Sequence, residues 1–339
     1  MTIACIDIAP LFDLASMQRA ATEAAILAAA TGTGFMTVTG LPTEIAPVRA
    51  VRQDLLRLLS LSEADKRKLL RQSFDPAQPN LYRGFFPLQT GGPTYKEGID
   101  IGPDVADPTW RPDPNDPLTE ATPLPDEATL PGWRADAARY YRGMEHLGAV
   151  MMRSLARGLG HAETTFDAAF VGGISTLRLI RYPARTPETL IGADPDAVAV
   201  MHDGVRRHQI GSAHVDSGFV TLLAQDGVEG LQAEARDGRW IDVLPVEGAL
   251  AVNFGGLLER WTGGRIRATK HRVLSPGCER YSIPFFFEPR VAAVIAPLAG
   301  GPQFVPFTYG DHLWSAMTEF VEFRDLKGRR RPRGVTASH

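Results

Sequence analysis

Residues 208–235 read HQIGSAHVDSGFVTLLAQDGVEGLQAEA, and this stretch decides the fold class. It holds three short runs of apolar and β-branched residues, separated by turn residues that include the tight-turn pair Asp226 and Gly227. Five similar runs flank it: ISTLRLIRY (174–182), RWIDVL (239–244), ALAVNF (249–254), RIRATKHRVL (265–274) and RYSIPFFFE (280–288). Eight short strands at this spacing predict a double-sheet jelly roll or a barrel.

The segments outside this β-rich region predict mainly helices. Apolar residues at helical spacing predict helices over 16–30, 45–59, 133–158 and 309–323, while FMTVT (35–39) predicts a strand. We therefore expect a mainly β fold with flanking helices, in three parts. These are an N-terminal helical and mixed region (1–172), a jelly-roll core with a closing helix (173–325) and a disordered basic tail (326–339).

Composition excludes several classes of partner. The chain has 339 residues, a formal net charge of −3 and a pI near 6.3, so it has no general attraction to nucleic acid. Its two cysteines, Cys5 and Cys278, cannot form a disulfide framework, which fits a reducing compartment. No apolar run approaches the ~20 residues of a membrane helix. We expect a cytoplasmic monomer or weak homodimer that acts on a small molecule, with no nucleic-acid or membrane partner.

One pattern of histidines and a carboxylate predicts a metal site. His214 and Asp216 are two residues apart on a predicted strand, so their side chains share a face. His271, on another predicted strand, can supply a third ligand. Two imidazoles and one carboxylate with open positions opposite suit a non-haem Fe(II) centre that activates O2.

A second pattern predicts a site for an anion. Arg280 and Ser282 share one face of a strand that begins nine residues after His271. A guanidinium inside an apolar barrel requires an anionic partner, because a lone buried charge is costly. A dicarboxylate cosubstrate would meet this need through a bidentate contact. Tyr182 can add its phenol, and Leu223, in register with Asp216, is expected to flank the cosubstrate.

The sequence at this point resembles a known family, the isopenicillin N synthase-like branch of the Fe(II)/2-oxoglutarate-dependent dioxygenases. The resemblance covers most of the chain. Its segments are GFMTVTGLP (34–42), KEGIDIGPD (96–104), HVDSGFVTLLAQDGVEGLQ (214–232), NFGGLLERWTGGRIRATKHRV (253–273), RYSIPFFFEP (280–289) and TYGDHLWS (308–315).

The resemblance implies a double-stranded β-helix core and an oxygenase activity. It implies that His214, Asp216 and His271 bind Fe(II), and that Arg280 and Ser282, with Tyr182 beside them, hold the distal carboxylate of 2-oxoglutarate. With O2, this cosubstrate would yield succinate and CO2 while a small molecule is hydroxylated.

One departure leaves a second activity open. Many 2-oxoglutarate-dependent members have Asn-Tyr-Tyr-Pro where this chain has Ile180 to Pro183, reading IRYP. Isopenicillin N synthase has Arg-Tyr-Pro there and uses its Arg and Ser to hold substrate. The alternative is therefore a 2-oxoglutarate-independent Fe(II) oxidase that closes a ring or forms a double bond.

Four further residues are candidates for substrate binding. Arg178 shares the inward face of Tyr182, and Phe286 shares that of Arg280, so both are expected near the iron. Arg83 and Phe85 precede a loop that could reach the cavity mouth and grip an anionic or aromatic substrate. Each has a structural alternative. Arg178 could pair with an internal acid, Phe286 could be core, and Arg83 could lie on the surface over a hydrophobic cluster.

Overall fold

The structure, a computed structural model, describes residues 2–13, 15–43, 49–90, 92–320 and 323–335. Strands dominate these ranges. They are β1 (Ala4–Asp7), β2 (Phe35–Thr39), β3 (Gly84–Phe86), β4 (Glu97–Ile101), β5 (Thr176–Tyr182), β6 (Ala199–His202), β7 (Val205–His214), β8 (Val220–Gln225), β9 (Leu231–Glu234), β10 (Trp240–Asp242), β11 (Leu250–Phe254), β12 (His271–Leu274), β13 (Arg280–Phe287), β14 (Val294–Ile295) and β15 (Phe307–Thr308).

Helices lie before, between and after the strands along the chain. They are α1 (Arg19–Gly32), α2 (Arg49–Leu56), α3 (Glu63–Arg67), α4 (Trp133–Gly158), α5 (Asp167–Phe170), α6 (Pro195–Val198), α7 (Gly256–Trp261) and α8 (Tyr309–Met317). The longest, α4, buries the predicted apolar stripe that includes Met144 and Met151. It packs closely on the sheet because Gly148 leaves room for Phe287, where a Cβ would lie 2.5 Å from the ring. No described helix has the length and apolar character needed to cross a membrane.

Two sheets form the jelly-roll core. The larger has the strand order β1-β2-β11-β8-β13-β5-β4-β3, and the smaller has the order β10-β9-β12-β7-β6. Side chains from both sheets meet in one apolar layer, which includes Tyr182 and Ala251 from the larger sheet and Ile210, Ala233 and Val273 from the smaller. The predicted fold class is confirmed.

Each of the eight predicted runs contains a strand, although 265–274 forms one only over His271–Leu274. Of the expected helix over 45–59, residues 45–48 lie outside the described part of the chain, and the rest forms α2 over Arg49–Leu56 followed by a 3-10 turn over Arg57–Ser60. Strands β3 and β4 were not predicted. They extend the larger sheet beyond β5, and all five residues of β4 are buried.

The C-terminal segment differs from the expected disordered tail over 326–335. Arg330 is buried there, with Nε and Nη2 donating to the two carboxylate oxygens of Asp116 at 2.8 and 2.9 Å. Its Nη1 also donates to Asp311 at 2.7 Å, and Leu326 is buried. The basic residues therefore anchor this segment, and residues 336–339 lie outside the described ranges.

Asp116→Asn is expected to lower the free energy of unfolding by about 3 kcal/mol, because it leaves a buried guanidinium without one carboxylate partner. The amide can still cap Leu118, whose backbone N–H donates to Asp116. Urea unfolding measures the change. The control is Asp113→Asn, which removes the half-exposed partner of Arg333 and should cost under about 1 kcal/mol. Equal effects of the two variants would contradict the assignment.

Candidate metal and cosubstrate site

Three side chains that can bind a metal converge between the two sheets. The Nε2 atoms of His214 and His271 lie 3.5 and 3.7 Å from Asp216 Oδ1, and the potential ligand atoms all lie within 4.8 Å of one another. The His214 side chain is 34% exposed, whereas those of Asp216 and His271 are about 10% exposed. The cluster is therefore held by the protein on one side and open on the side of His214.

Strand register and one tight turn bring these residues together. His271 of β12 pairs directly with His214 of β7, so the two imidazoles are cross-strand neighbours. Asp216 follows the end of β7, in a turn that the start of α7 holds in place. The Gly256 backbone N–H donates to the Asp216 carbonyl at 2.7 Å.

Gly255 makes this turn possible by close backbone approach. A Cβ at this position would lie 2.3 Å from the carbonyl oxygen of Gly218, two residues after Asp216. The Gly255 backbone φ of −94° suits any residue, so the requirement is for space.

Gly255→Ala is expected to lower stability by roughly 1–3 kcal/mol and to weaken metal binding, because the clash displaces the Asp216 turn. Thermal unfolding and a Co(II) titration measure the two effects. Gly32→Ala is the matched control, since nothing lies within 4 Å of a Cβ there and stability should not fall. Unchanged metal affinity in Gly255→Ala would show that the turn does not depend on this glycine.

Backbone carbonyls fix the tautomer of both histidines. Nδ1 of His214 lies 2.8 Å from the Ser212 carbonyl, and Nδ1 of His271 lies 3.1 Å from that of Thr269. A carbonyl only accepts hydrogen bonds, so each Nδ1 is protonated, and in the neutral imidazole this leaves the lone pair on Nε2. Such partners commonly orient metal-binding imidazoles. Burial lowers the pKa of His271 to about 4, which keeps it neutral near pH 7.

Asp216 is oriented in a similar way. Thr221 Oγ1 and Asn253 Nδ2 donate to Oδ2 at 2.6 and 2.8 Å, so Oδ1 faces the histidines. Burial alone would raise the pKa of Asp216, but His271, His214 and the Thr221 hydroxyl lower it below its usual range. The site thus offers two imidazole nitrogens and one carboxylate oxygen, a donor set that suits Fe(II).

The predicted anion-binding residues lie on adjacent strands of the larger sheet. Arg280 is 1% exposed and pairs in register with Tyr182, whose ring centroid lies 5.1 Å from the guanidinium carbon. Ser282 is also buried, and Leu223 packs against the apolar layer between the sheets. Among the described residues, Nε and Nη1 of Arg280 have no hydrogen-bond partner. A buried cation with two unused donors fits a carboxylate.

A cavity of about 530 Å³ opens beside the cluster. Its wall includes His214 and Asp216, and of the predicted cosubstrate and substrate residues it includes Tyr182, Arg178 and Phe286. Arg280 contacts this wall through Tyr182. The structure therefore brings two of the three predicted ligands, Tyr182 and two predicted substrate contacts to one space, whereas His271, Arg280, Ser282 and Leu223 do not line this wall.

Arg178 lies at the cavity, as expected for a substrate contact, and it also pairs with an internal acid, as the structural alternative predicted. It lines the cavity, yet its Nε and Nη2 also bind both oxygens of Asp100 at 2.5 and 2.9 Å. The guanidinium carbon lies 5.5 and 5.4 Å from the ring centroids of Phe86 and Phe286. Asp100 thus orients this guanidinium, and the same carboxylate also lies 3.6 Å from Nη1 of the buried Arg71.

Arg83 and Phe85, which were predicted at the cavity mouth, do not line the cavity. Arg83 is fully buried and donates to Thr176 Oγ1 and the Ile174 carbonyl, both at 2.7 Å. Phe85 pairs in register with Ile99 and packs in the main apolar core. Both side chains are buried and make their contacts within the protein, so they do not form the entrance of the cavity.

Sequence reasoning missed several cavity residues, and Glu288 is the most informative. Its two carboxylate oxygens accept hydrogen bonds from Thr176 and Tyr309 at 2.8 and 2.9 Å. Burial raises the pKa of Glu288 to about 7, against the opposing effect of Arg83. Its position could have been predicted, because Glu288 continues the alternation by which Arg280, Ser282 and Phe286 share one face of the strand. Phe320 also lines the cavity. It lies in the turn after α8, where neither helical nor strand periodicity predicts the direction of a side chain.

Comparison with known proteins agrees with this geometry. The model of the 2OG-Fe(II) oxygenase superfamily matches residues 176–289. Isopenicillin N synthase of Streptomyces clavuligerus is 30% identical over 325 residues, covering 93% of this chain and 94% of that protein. The 2-oxoglutarate-Fe(II) type oxidoreductase hxnY of Emericella nidulans is 35% identical over 206 residues, covering 59% and 54%.

Solved structures show the same architecture. A full-length Neurospora crassa protein in complex with alpha-KG superposes with a TM-score of 0.77 at 25% identity, covering 94% of this chain and 96% of that one. A complex of the same protein with alpha-KG and 5-formyluracil gives a TM-score of 0.75 at 25% identity over the same shares. Because a 30% identical relative spans nearly the whole chain and the family model spans β5 to β13, this protein belongs to the 2OG-Fe(II) oxygenase superfamily.

Proposed function

We propose that this protein is an Fe(II)- and 2-oxoglutarate-dependent oxygenase that hydroxylates a small-molecule metabolite and releases succinate and CO2. The observation that carries the proposal is Arg280. Two nitrogens of its buried guanidinium, Nε and Nη1, have no hydrogen-bond partner in the described part of the chain. Arg280 lies on the sheet that also carries Tyr182 into the cavity beside the His–Asp–His cluster. A dicarboxylate that reaches from the metal to this arginine would fill open positions on the metal and supply an anionic partner for the guanidinium.

His214, Asp216 and His271 would hold Fe(II), since their free donor atoms face one point. The bound metal would supply O2 activation at positions that the three side chains leave open. The surrounding residues would orient the three metal-binding side chains. Carbonyls of Ser212 and Thr269 fix the imidazoles, and Thr221 with Asn253 fixes the carboxylate.

Arg280 and Ser282 would bind the distal carboxylate of 2-oxoglutarate, with Tyr182 stacked against the arginine. Leu223 lies two residues before Gln225, which pairs in register with Ser282, so it would flank the chain of the cosubstrate. Arg280 is almost fully buried, and charge-assisted hydrogen bonds are strong where water is excluded.

Arg178 and Phe286 would contact the substrate. Phe286 pairs in register with Thr221, which holds Asp216, so its ring lies near the candidate metal. Arg178 would offer its guanidinium, which Asp100 orients, to a carbonyl or another acceptor of the substrate. The Neurospora crassa protein was solved with a ligand of this kind, 5-formyluracil.

The test of this function is succinate formation. Purified protein with Fe(II), 2-oxoglutarate and O2 should release succinate slowly by itself and faster when a substrate from a metabolite panel is present. The amount of O2 consumed should match the amount of succinate. No succinate above the level of a metal-free control, with O2 still consumed when substrate is added, would contradict the proposal.

The sequence of residues 181–183 also favours a second candidate function, a 2-oxoglutarate-independent oxidase. Isopenicillin N synthase covers nearly the same length of chain, and residues 181–183 read Arg-Tyr-Pro. In this alternative, Arg280 and Ser282 would hold a carboxylate of the substrate, and the enzyme would close a ring or form a double bond without 2-oxoglutarate. Saturable substrate oxidation in the absence of 2-oxoglutarate would support it.

A further inference from the structure

Gln225 makes the one hydrogen bond to the Arg280 guanidinium found among the described residues. Its Oε1 accepts from Nη2 at 3.3 Å, while Nε and Nη1 of the arginine have no partner there. Gln225 lies at the end of β8, directly opposite Ser282 of β13. It thus belongs to the same patch of the sheet as the two residues that would hold the cosubstrate.

The amide of Gln225 is itself oriented. Its Nε2 donates to the Val243 carbonyl at 3.2 Å, which turns Oε1 toward Arg280. Tyr182 supports the guanidinium on its face. The arginine is therefore fixed at its face and at Nη2, and its other donors remain available for a ligand.

We propose that Gln225 is a positioning residue that aims Arg280 at the distal carboxylate of 2-oxoglutarate without neutralising its charge. This inference rests on the proposed function. A neutral carbonyl oxygen orients a guanidinium and leaves its positive charge for the ligand. A carboxylate at the same place would form an ion pair with Arg280 and compete with the cosubstrate.

The inference predicts an effect confined to one end of the keto acid. 2-Oxoglutarate has a distal carboxylate that Arg280 would bind, whereas 2-oxobutyrate has the same keto acid end and lacks that group. Gln225→Glu should raise the Kd of 2-oxoglutarate at least tenfold and change that of 2-oxobutyrate less than twofold. Gln225→Leu, which removes the acceptor and adds no charge, should raise the Kd of 2-oxoglutarate about threefold to tenfold.

The experiment is anaerobic titration calorimetry of the Fe(II)-loaded protein with each keto acid, for wild type and both variants. Gln72→Glu is the matched control. Gln72 Oε1 accepts from Arg329 Nη2 at 2.9 Å and its Nε2 donates to the Gln78 carbonyl at 3.3 Å, so this change also places a carboxylate beside an arginine, away from the cavity wall. Its ratio of the two Kd values should equal that of wild type.

The outcomes separate this inference from the function on which it rests. A wild-type protein that does not bind 2-oxoglutarate would overturn the proposed function and the inference together. Wild-type binding with an unchanged Kd ratio in Gln225→Glu and Gln225→Leu would overturn the inference alone. Equal weakening of both keto acids would also overturn it, because Gln225 would then support only the general structure of the site. If Gln225→Glu does not fold, the ratio in Gln225→Leu decides.

Discussion

His214→Ala should lower the affinity for Fe(II) by on the order of a hundredfold or more. Loss of a residue that merely orients a metal ligand typically costs about 10–100-fold in affinity, so loss of a ligand should cost at least as much. His214 is one of three potential donors, and its side chain is 34% exposed, so its removal should not disrupt the core. Fe(II) retained after anaerobic gel filtration, measured as a function of added metal, gives the affinity.

His208→Ala is the matched control for this change. His208 lies on the same strand, β7, and does not belong to the cluster. Its substitution should leave Fe(II) affinity unchanged. If His214→Ala bound Fe(II) as tightly as His208→Ala does, the metal assignment would be wrong, whatever the activity of the variants.

Arg280→Ala should raise the Kd of 2-oxoglutarate by roughly 30-fold or more while Fe(II) affinity stays unchanged. Truncation of one partner in a buried, hydrogen-bonded charge pair typically costs about 2–5 kcal/mol of binding free energy, and each 1.4 kcal/mol is tenfold. Arg280 is almost fully buried, so water would replace its contacts poorly. Anaerobic titration calorimetry of Fe(II)-loaded protein measures the change.

Arg280→Lys provides the graded control. Lysine keeps the positive charge but lacks the planar fork that contacts both carboxylate oxygens, so its Kd should lie between those of wild type and Arg280→Ala. If Arg280→Ala bound 2-oxoglutarate as wild type does, this guanidinium would not be the carboxylate anchor.

Strand periodicity explains how much could be predicted from the sequence. Side chains two residues apart share a face, and this rule placed Arg280, Ser282 and Phe286 on the inner face of β13. These predictions on β13 required only local geometry, because each depends on neighbours along one strand. The same rule joined His214 to Asp216, but β7 ends at His214 and the turn after it carries Asp216.

Contacts between distant segments could not be predicted in this way. The partner of Arg178 is Asp100 of β4. The two residues are opposite each other because β4 pairs with β5, and the local sequence does not predict this strand pairing. The basic C-terminal residues indicated a solvated segment, yet Arg330 pairs with Asp116, more than two hundred positions away in sequence. Long-range ion pairs have no periodic signature, so composition alone gave the wrong environment for Arg330.

The most direct test of the central claim is an anaerobic titration of the Fe(II)-loaded protein with 2-oxoglutarate, followed by visible absorption. A keto acid that chelates Fe(II) through open positions should produce a weak charge-transfer band at about 500 nm. We predict that the band appears, that it saturates with one equivalent of 2-oxoglutarate, and that Arg280→Ala shifts its midpoint to higher concentration. Iron binding with no band at any 2-oxoglutarate concentration would contradict 2-oxoglutarate dependence and favour the oxidase in which Arg280 and Ser282 hold substrate.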